Sequence, residues 1–171
     1  DDIIYGSYFN DILNGKEWND TIYWWDWADV LIWGKWDDIL DGEYSVYNNN
    51  VVNGWNTFLF YNGDGNDIVR NSWDHSKSYW DTIEFTAWIN EEDVLFSMSW
   101  SSNTNKNLIL TYNWWSDTII VEDQFLENEE SYRVEFIKFW DGTVLDTNDI
   151  YDKVATEWND IIYGSYFNDM L

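Results

Sequence analysis

Cysteine and proline are both missing from the 171 residues, histidine occurs once, and Lys and Arg number 8 against 33 Asp and Glu. Without cysteine neither a disulfide nor a thiolate metal site can hold the chain, so a secreted protein of this sequence must be stabilised by packing or by metal. The shortage of basic residues argues against nucleic acid and anionic membrane surfaces as partners, since both are recognised through clustered positive charge. No apolar run is long enough to span a bilayer and the start carries no signal-peptide pattern, so no membrane insertion is expected. The first residue is Asp1, inside a repeat, which leads us to expect a segment of a longer protein.

Enzyme signatures are equally scarce. The one histidine, His75, sits in the polar stretch SWDHSKSYWD, which reads as an exposed loop. There is no HExxH motif and no Gly-rich phosphate loop opening a helix. Carboxylates are so abundant that no particular pair has a claim to glycosidase-like chemistry. The chain reads as a non-enzyme.

What is present is charge, aromatic mass and a repeat. A net charge of -25 would favour disorder in an apolar-poor chain, but 21% of the residues are aromatic, 15 of them Trp, and disorder requires low hydrophobicity as well as high charge. Bound cations are the obvious relief for the self-repulsion. Asp2, Asp11, Asp20, Asp29 and Asp38 stand nine residues apart, and each is followed two residues later by an aliphatic: Ile4, Leu13, Ile22, Leu31 and Leu40. The units read GSYFNDILN, GKEWNDTIY, WWDWADVLI and WGKWDDILD. The phase returns at Asp160 with Ile162 and Asp169 with Leu171, where DIIYGSYFNDML repeats residues 2–13 with one change at an offset of 158. Two readings of that copy stay open: close copies of one nonapeptide, or one period of a longer tandem array.

These nonapeptides resemble the repeat-in-toxin, or haemolysin-type calcium-binding, motif GGxGxDxUx, with U a large apolar residue. The resemblance implies an all-β fold: a parallel β-roll (β-solenoid) in which each unit is a turn plus a short strand and successive strands alternate between two sheets. The Asp positions fall sixth in the motif and the aliphatics eighth, so strand alternation points the eighth residue inward. Turns two repeats apart share an edge, grouping Asp2, Asp20 and Asp38 on one side and Asp11 with Asp29 on the other. Calcium takes six to eight oxygens from carboxylates and carbonyls. The resemblance therefore implies calcium as cofactor, with these five Asp, Asp160 and Asp169 as ligands and the backbone carbonyls of Phe9, Trp18, Trp27 and Trp36 completing shells. The best match to the family's turn is NGDGND at 62–67, which adds Gly63, Gly65 and Asp67.

Three regions are expected: nonapeptide repeats at 1–45, a β-rich companion region with the intact calcium turn at 46–155, and returning repeats at 156–171. Within the companion, NTFLF, DIV, DTIEF, EDVLFSMS, NLILTY, DTIIVEDQF and RVEFIKF read as strands. FIKFWDGTVL reads as a hairpin turning at Asp141-Gly142, and TNDIYDKV as one capped helical turn. The chain departs from the motif at its glycines. Phe9, Trp18, Trp27, Trp36, Trp158 and Phe167 occupy the fourth position, Trp24, Trp25 and Trp33 the first or second, and Trp88, Trp114 and Trp115 stand where a turn favours Gly or Asn. Left-handed backbone costs such residues about 1–2 kcal/mol each. Three explanations remain: aromatic ladders that pack modules or filaments together, an aromatic platform for glycans as in an adhesin, or a chain whose glycines were exchanged. The leading expectation is a non-catalytic calcium-binding structural module of a secreted or cell-surface bacterial protein. A carbohydrate-binding module and a self-assembling subunit that binds copies of itself are the alternatives.

Overall fold

A computed structural model describes residues 1–24, 28–42, 55–71, 80–86, 88–102, 105–126 and 133–155. The Asp-x-aliphatic pattern becomes strands that begin one residue after each repeat Asp: β1 (Ile3–Tyr5), β2 (Ile12–Asn14), β3 (Thr21–Tyr23), β4 (Val30–Ile32) and β5 (Ile39–Asp41). Three residues cannot hold a strand alone, so each is stabilised by stacking. Pairing is parallel and skips one repeat, with Ile3 beside Thr21, Thr21 beside Ile39 and Ile12 beside Val30. Consecutive strands therefore enter opposite sheets, and the central aliphatics Ile22, Leu31 and Leu40 are fully buried between them.

The alternation continues through β6 (Thr57–Phe60), β7 (Asn66–Arg70) and β8 (Thr82–Phe85). Two long strands follow, β9 (Leu95–Ser102) and β10 (Asn105–Tyr112), then β11 (Asp117–Val121), β12 (Phe136–Lys138) and β13 (Val144–Leu145). The first sheet runs β1-β3-β5-β7-β11-β10-β9 and the second β13-β12-β8-β6-β4-β2. Antiparallel pairs β9–β10, β10–β11 and β12–β13 make both sheets mixed. The described chain is thus mostly β, with one α-helix.

That helix, α1 (Thr147–Ala155), is longer than the single turn expected. Asp146 starts it, its Oδ1 accepting the N–H groups of Asn148 at 2.8 Å and Asp149 at 3.1 Å, while Ile150 and Val154 face the core. The hairpin before it turns at Asp141-Gly142 as expected, with Gly142 at φ 90°.

Trp24 and Trp33 require a correction to the turn reading. Both are buried and neither has a positive φ. Along a strand the eighth motif position points in, the ninth out and the next first position in again, so an aromatic there fills the core. Trp33 stacks on Phe60 at 4.9 Å, Phe60 lies 6.2 Å from Phe85, and Phe85 stacks on Phe139 at 5.4 Å, forming one aromatic row across the second sheet. Gly15 precedes this row because a Cβ there would come within 2.4 Å of the Trp33 carbonyl oxygen. The stretch 44–54, Trp25, Trp27, His75 and the returning repeats with Asp160 and Asp169 lie outside the described residues.

Candidate metal centre

The repeat aspartates form two ladders at the strand starts, one per sheet. On the first edge the backbone N–H of Asp2 donates to Asp20 Oδ1 at 2.6 Å, that of Asp20 to Asp38 Oδ1 at 2.6 Å, and that of Asp38 to Asp67 Oδ1 at 2.9 Å. On the second edge Asp11 N–H donates to Asp29 Oδ1 at 2.8 Å and Asp29 N–H to Asn56 Oδ1 at 3.0 Å. The second ladder continues with Asn56 N–H on Asp81 Oδ1 and Asp81 N–H on Glu135 Oε2, both 2.8 Å. Asp2, Asp20 and Asp38 therefore share one edge with Asp67, and Asp11 and Asp29 share the other.

One oxygen of each carboxylate makes the ladder; the other decides what the edge can bind. The Oδ2 atoms of Asp20, Asp38 and Asp67 are buried and accept no hydrogen bond, in residues only 1–2% exposed. Such atoms are costly to bury without a partner. Burial raises the carboxyl of Asp38 to about 7 and that of Asp67 to about 9, and the neighbouring charges of Asp64 and Asp37 add to both shifts. Asp64, from the intact turn, is also buried and is raised to about 7 by burial, with a further contribution from Asp117. The hydroxyl of Tyr112, in β10, is buried without a hydrogen bond and is pushed upward by burial and by the charges of Asp64, Asp67 and Asp117. Asp117 reaches this cluster because β11 pairs two residues out of step, setting Thr118 beside Asn66. Its Oδ2 accepts the Gly63 N–H at 2.5 Å instead of extending the ladder.

The first-edge turns keep one backbone shape whatever residue occupies them. Positive φ recurs at the second and fourth positions: Lys16 (76°) with Trp18 (87°), Gly34 (106°) with Trp36 (92°), and Gly63 (91°) with Gly65 (113°). Trp18 and Trp36 thus adopt the same left-handed backbone as Gly65, at the expected local strain. The turns also stack closely, since a Cβ on Gly65 would lie 2.7 Å from the Trp36 carbonyl oxygen. The turn at 6–11 is built otherwise. Neither Ser7 nor Phe9 has a positive φ, and Asp11 Oδ2 instead accepts the Ser7 N–H at 2.5 Å and the Ser7 hydroxyl at 2.9 Å.

Among the described residues no three acidic, His or Cys side chains converge closely enough to hold a metal by themselves. Main-chain carbonyls would have to supply much of any shell, which a hard cation of tolerant geometry such as calcium accepts. The donors on this edge are all oxygen, and the orphaned Oδ2 atoms fit such an ion.

Several residues of the ladders and of the cluster beside Asp67 escape a strict nine-residue search: Asn56, Asp81 and Glu135 in the second ladder, and Asp64 and Asp117 in the cluster. Asp81 and Asp117 do carry the signal Asp-Thr-Ile, which puts an aliphatic two residues on. In comparison with known proteins, residues 107–149 match the family described as the haemolysin-type calcium binding protein related domain. This stretch runs from β10 into the first turn of α1 and includes Tyr112 and Asp117. No curated protein matches the chain.

Proposed function

We propose that the chain is a non-catalytic calcium-binding module whose first-edge turns, between Asp20 and Asp67, take up calcium and stiffen the stacked strands. The observation that carries this reading is the row of buried Oδ2 atoms on Asp20, Asp38 and Asp67, left over after each ladder bond is made. Carboxylates one rung apart repel until a cation lies among them, and calcium would also meet the carbonyls of the left-handed turns at Gly63 and Gly65 and of Trp18 and Trp36. The matched family agrees with this chemistry. In this reading the alternating parallel strands are a β-roll, repeats 1–45 form its open end, and region 46–155 continues and closes it. Asp160 and Asp169 would begin a further pair of rungs. Dependence on calcium suits a protein that is secreted or displayed at a cell surface, where weak sites can fill.

Titration gives the test its sign. In the metal-free fold Asp38 and Asp67 are raised from 3.8 to about 7 and about 9, so the folded state binds more protons than the unfolded chain across that interval. The share of metal-free stability that these two carboxyls set is therefore fullest below about pH 4 and falls as pH rises toward 9. Thermal melts followed by circular dichroism, with chelator, should give a lower Tm at about pH 8 than at about pH 5. Millimolar calcium should raise the Tm at about pH 8 by on the order of 10 °C, a gain of a few kcal/mol. Equal melting points in calcium and in chelator at that pH would remove the calcium reading.

A further inference from the structure

Trp88 and Trp140 form an exposed pair outside both ladders. Their ring centroids are 5.2 Å apart and the planes are tilted by 47°. Trp88 is 77% exposed and Trp140 51%, so each residue leaves much of its surface to solvent. The pair Trp18 and Trp36 differs: their planes are within 12° at 5.8 Å, so each covers a face of the other. Trp18 and Trp36 stay more than half exposed, but their near-parallel planes close the space between the rings, whereas the tilted planes of Trp88 and Trp140 open a wedge between them.

Two features argue that Trp88 is not retained for folding. It holds φ at 74°, which costs a non-glycine residue about 1–2 kcal/mol, and at its exposure little packing offsets that strain. The main chain of the partner is held beside it, because the Trp140 backbone N–H donates to the Ile89 carbonyl at 3.0 Å. Strain held at a solvent-facing aromatic is a reason to look for a ligand.

Beside the pair lies a cleft of about 620 Å³, lined by Asn90, Glu91, Glu92, Asp141 and Lys153 with Phe96 among its apolar residues. Asn90 follows Trp88 by two residues and Asp141 follows Trp140 directly, so the backbone that carries the two rings adjoins the residues that line the cleft. Lys153 is ion-paired to Glu91. The cleft therefore presents three carboxylates, one ammonium already paired, and one amide, next to two open indole rings.

We propose that the Trp88–Trp140 pair and the cleft beside it bind a neutral polysaccharide. The apolar C–H face of a pyranose ring suits an exposed indole, and its hydroxyls can donate to Glu92 and Asp141 and accept from the Asn90 amide. The excess of carboxylate rejects uronic or sulfated chains by like charge. The site is independent of the calcium centre and stands or falls apart from it.

The test is affinity electrophoresis of the full chain, in calcium and in chelator, through gels carrying hydroxyethylcellulose, xylan or galactomannan, with alginate as the anionic control. Retardation is expected in at least one neutral polymer and absent in alginate. Trp88→Gly suits the positive φ and removes only the ring, so it should fold at least as well as the parent while weakening retardation about tenfold or more, about 1.4 kcal/mol or more. Trp140→Ala should do the same, and Trp18→Gly should leave retardation unchanged. Free migration in all three neutral gels overturns the proposal. So does retardation that survives in both Trp88→Gly and Trp140→Ala, or that falls equally in Trp18→Gly.

Discussion

The two edges perform the same backbone task with different chemistry. Each needs an oxygen at the sixth position to accept the N–H from the neighbouring rung, and on the second edge the amide of Asn56 fills that role at 3.0 Å as Asp20 and Asp38 do on the first. The ladder therefore does not require a carboxylate. Where the second edge uses carboxylates, the spare Oδ2 of Asp11 accepts the Ser7 hydroxyl at 2.9 Å and that of Asp81 the Asn71 amide at 2.7 Å, while Asp29 Oδ2 is buried. The first edge keeps Asp at Asp20, Asp38 and Asp67 and satisfies none of the spare oxygens with a hydrogen bond. Given that an amide suffices, the extra buried charge destabilises the metal-free protein with no structural return. A cation turns that liability into affinity, and the run of three such oxygens with Asp64 beside it is why the first edge is read as the metal centre.

The sharpest way to break the contrast is the same isosteric exchange on each edge. Asp67→Asn keeps Oδ1 for the Asp38 N–H and replaces the orphaned oxygen with an NH2 group near Asp64 and the Tyr112 hydroxyl. In chelator at about pH 8 it should be more stable than the parent by a few kcal/mol, since the parent carboxyl, raised to about 9, must take up a proton on folding and Asn need not. Its calcium-induced rise in Tm should largely vanish. Denaturant melts of both proteins in calcium and in chelator measure the two effects, and a variant less stable than its parent in chelator would show that the Asp67 charge is already compensated.

Asp81→Asn should go the other way. The ladder bond to Asn56 survives, but the new NH2 faces the NH2 of Asn71, which itself also donates to the Arg133 carbonyl at 2.9 Å. Loss of that charge-assisted bond should destabilise the fold by about 1–2 kcal/mol. The burial that raises Asp81 to about 6 offsets part of the loss, and the stability gain from calcium should be unchanged. Equal and like-signed responses from Asp67→Asn and Asp81→Asn would erase the distinction between the edges.

Much of this contrast is invisible in the linear chain. The phase of Asp and aliphatic residue foretells β1 to β5 and their inward aliphatics, because spacing and strand parity are local properties, while the alternation between sheets and the grouping of Asp2, Asp20 and Asp38 came with the family resemblance. Inserted stretches then break the nine-residue count, and Asn56 and Glu135 continue a ladder in which neither matches the motif's Asp. The inward turn of Trp33 was legible in principle, since two-residue alternation carries the eighth position into the next first; the motif's glycine obscured it. Asp64, Asp117 and Tyr112 converge only because β11 is offset by two residues against β7, and register between distant strands leaves no trace in residue spacing.

The smallest expected effect concerns the turns themselves. Lys16 holds φ 76° at the position that Gly34 and Gly63 occupy in the next two turns of the first edge. Lys16→Gly removes left-handed strain worth about 1–2 kcal/mol but loosens the unfolded chain by about 0.5–1 kcal/mol. A net gain of about 0.5–1 kcal/mol is expected, or about 1–4 °C in Tm. Ser7→Gly makes the same second-position exchange on the other edge, where φ is not positive and the hydroxyl bonds Asp11. It should lose about 1 kcal/mol. Opposite signs from these two glycines, read in parallel melts, would mean that only first-edge turns need the left-handed backbone, and a stabilising Ser7→Gly would place the second edge in the same class.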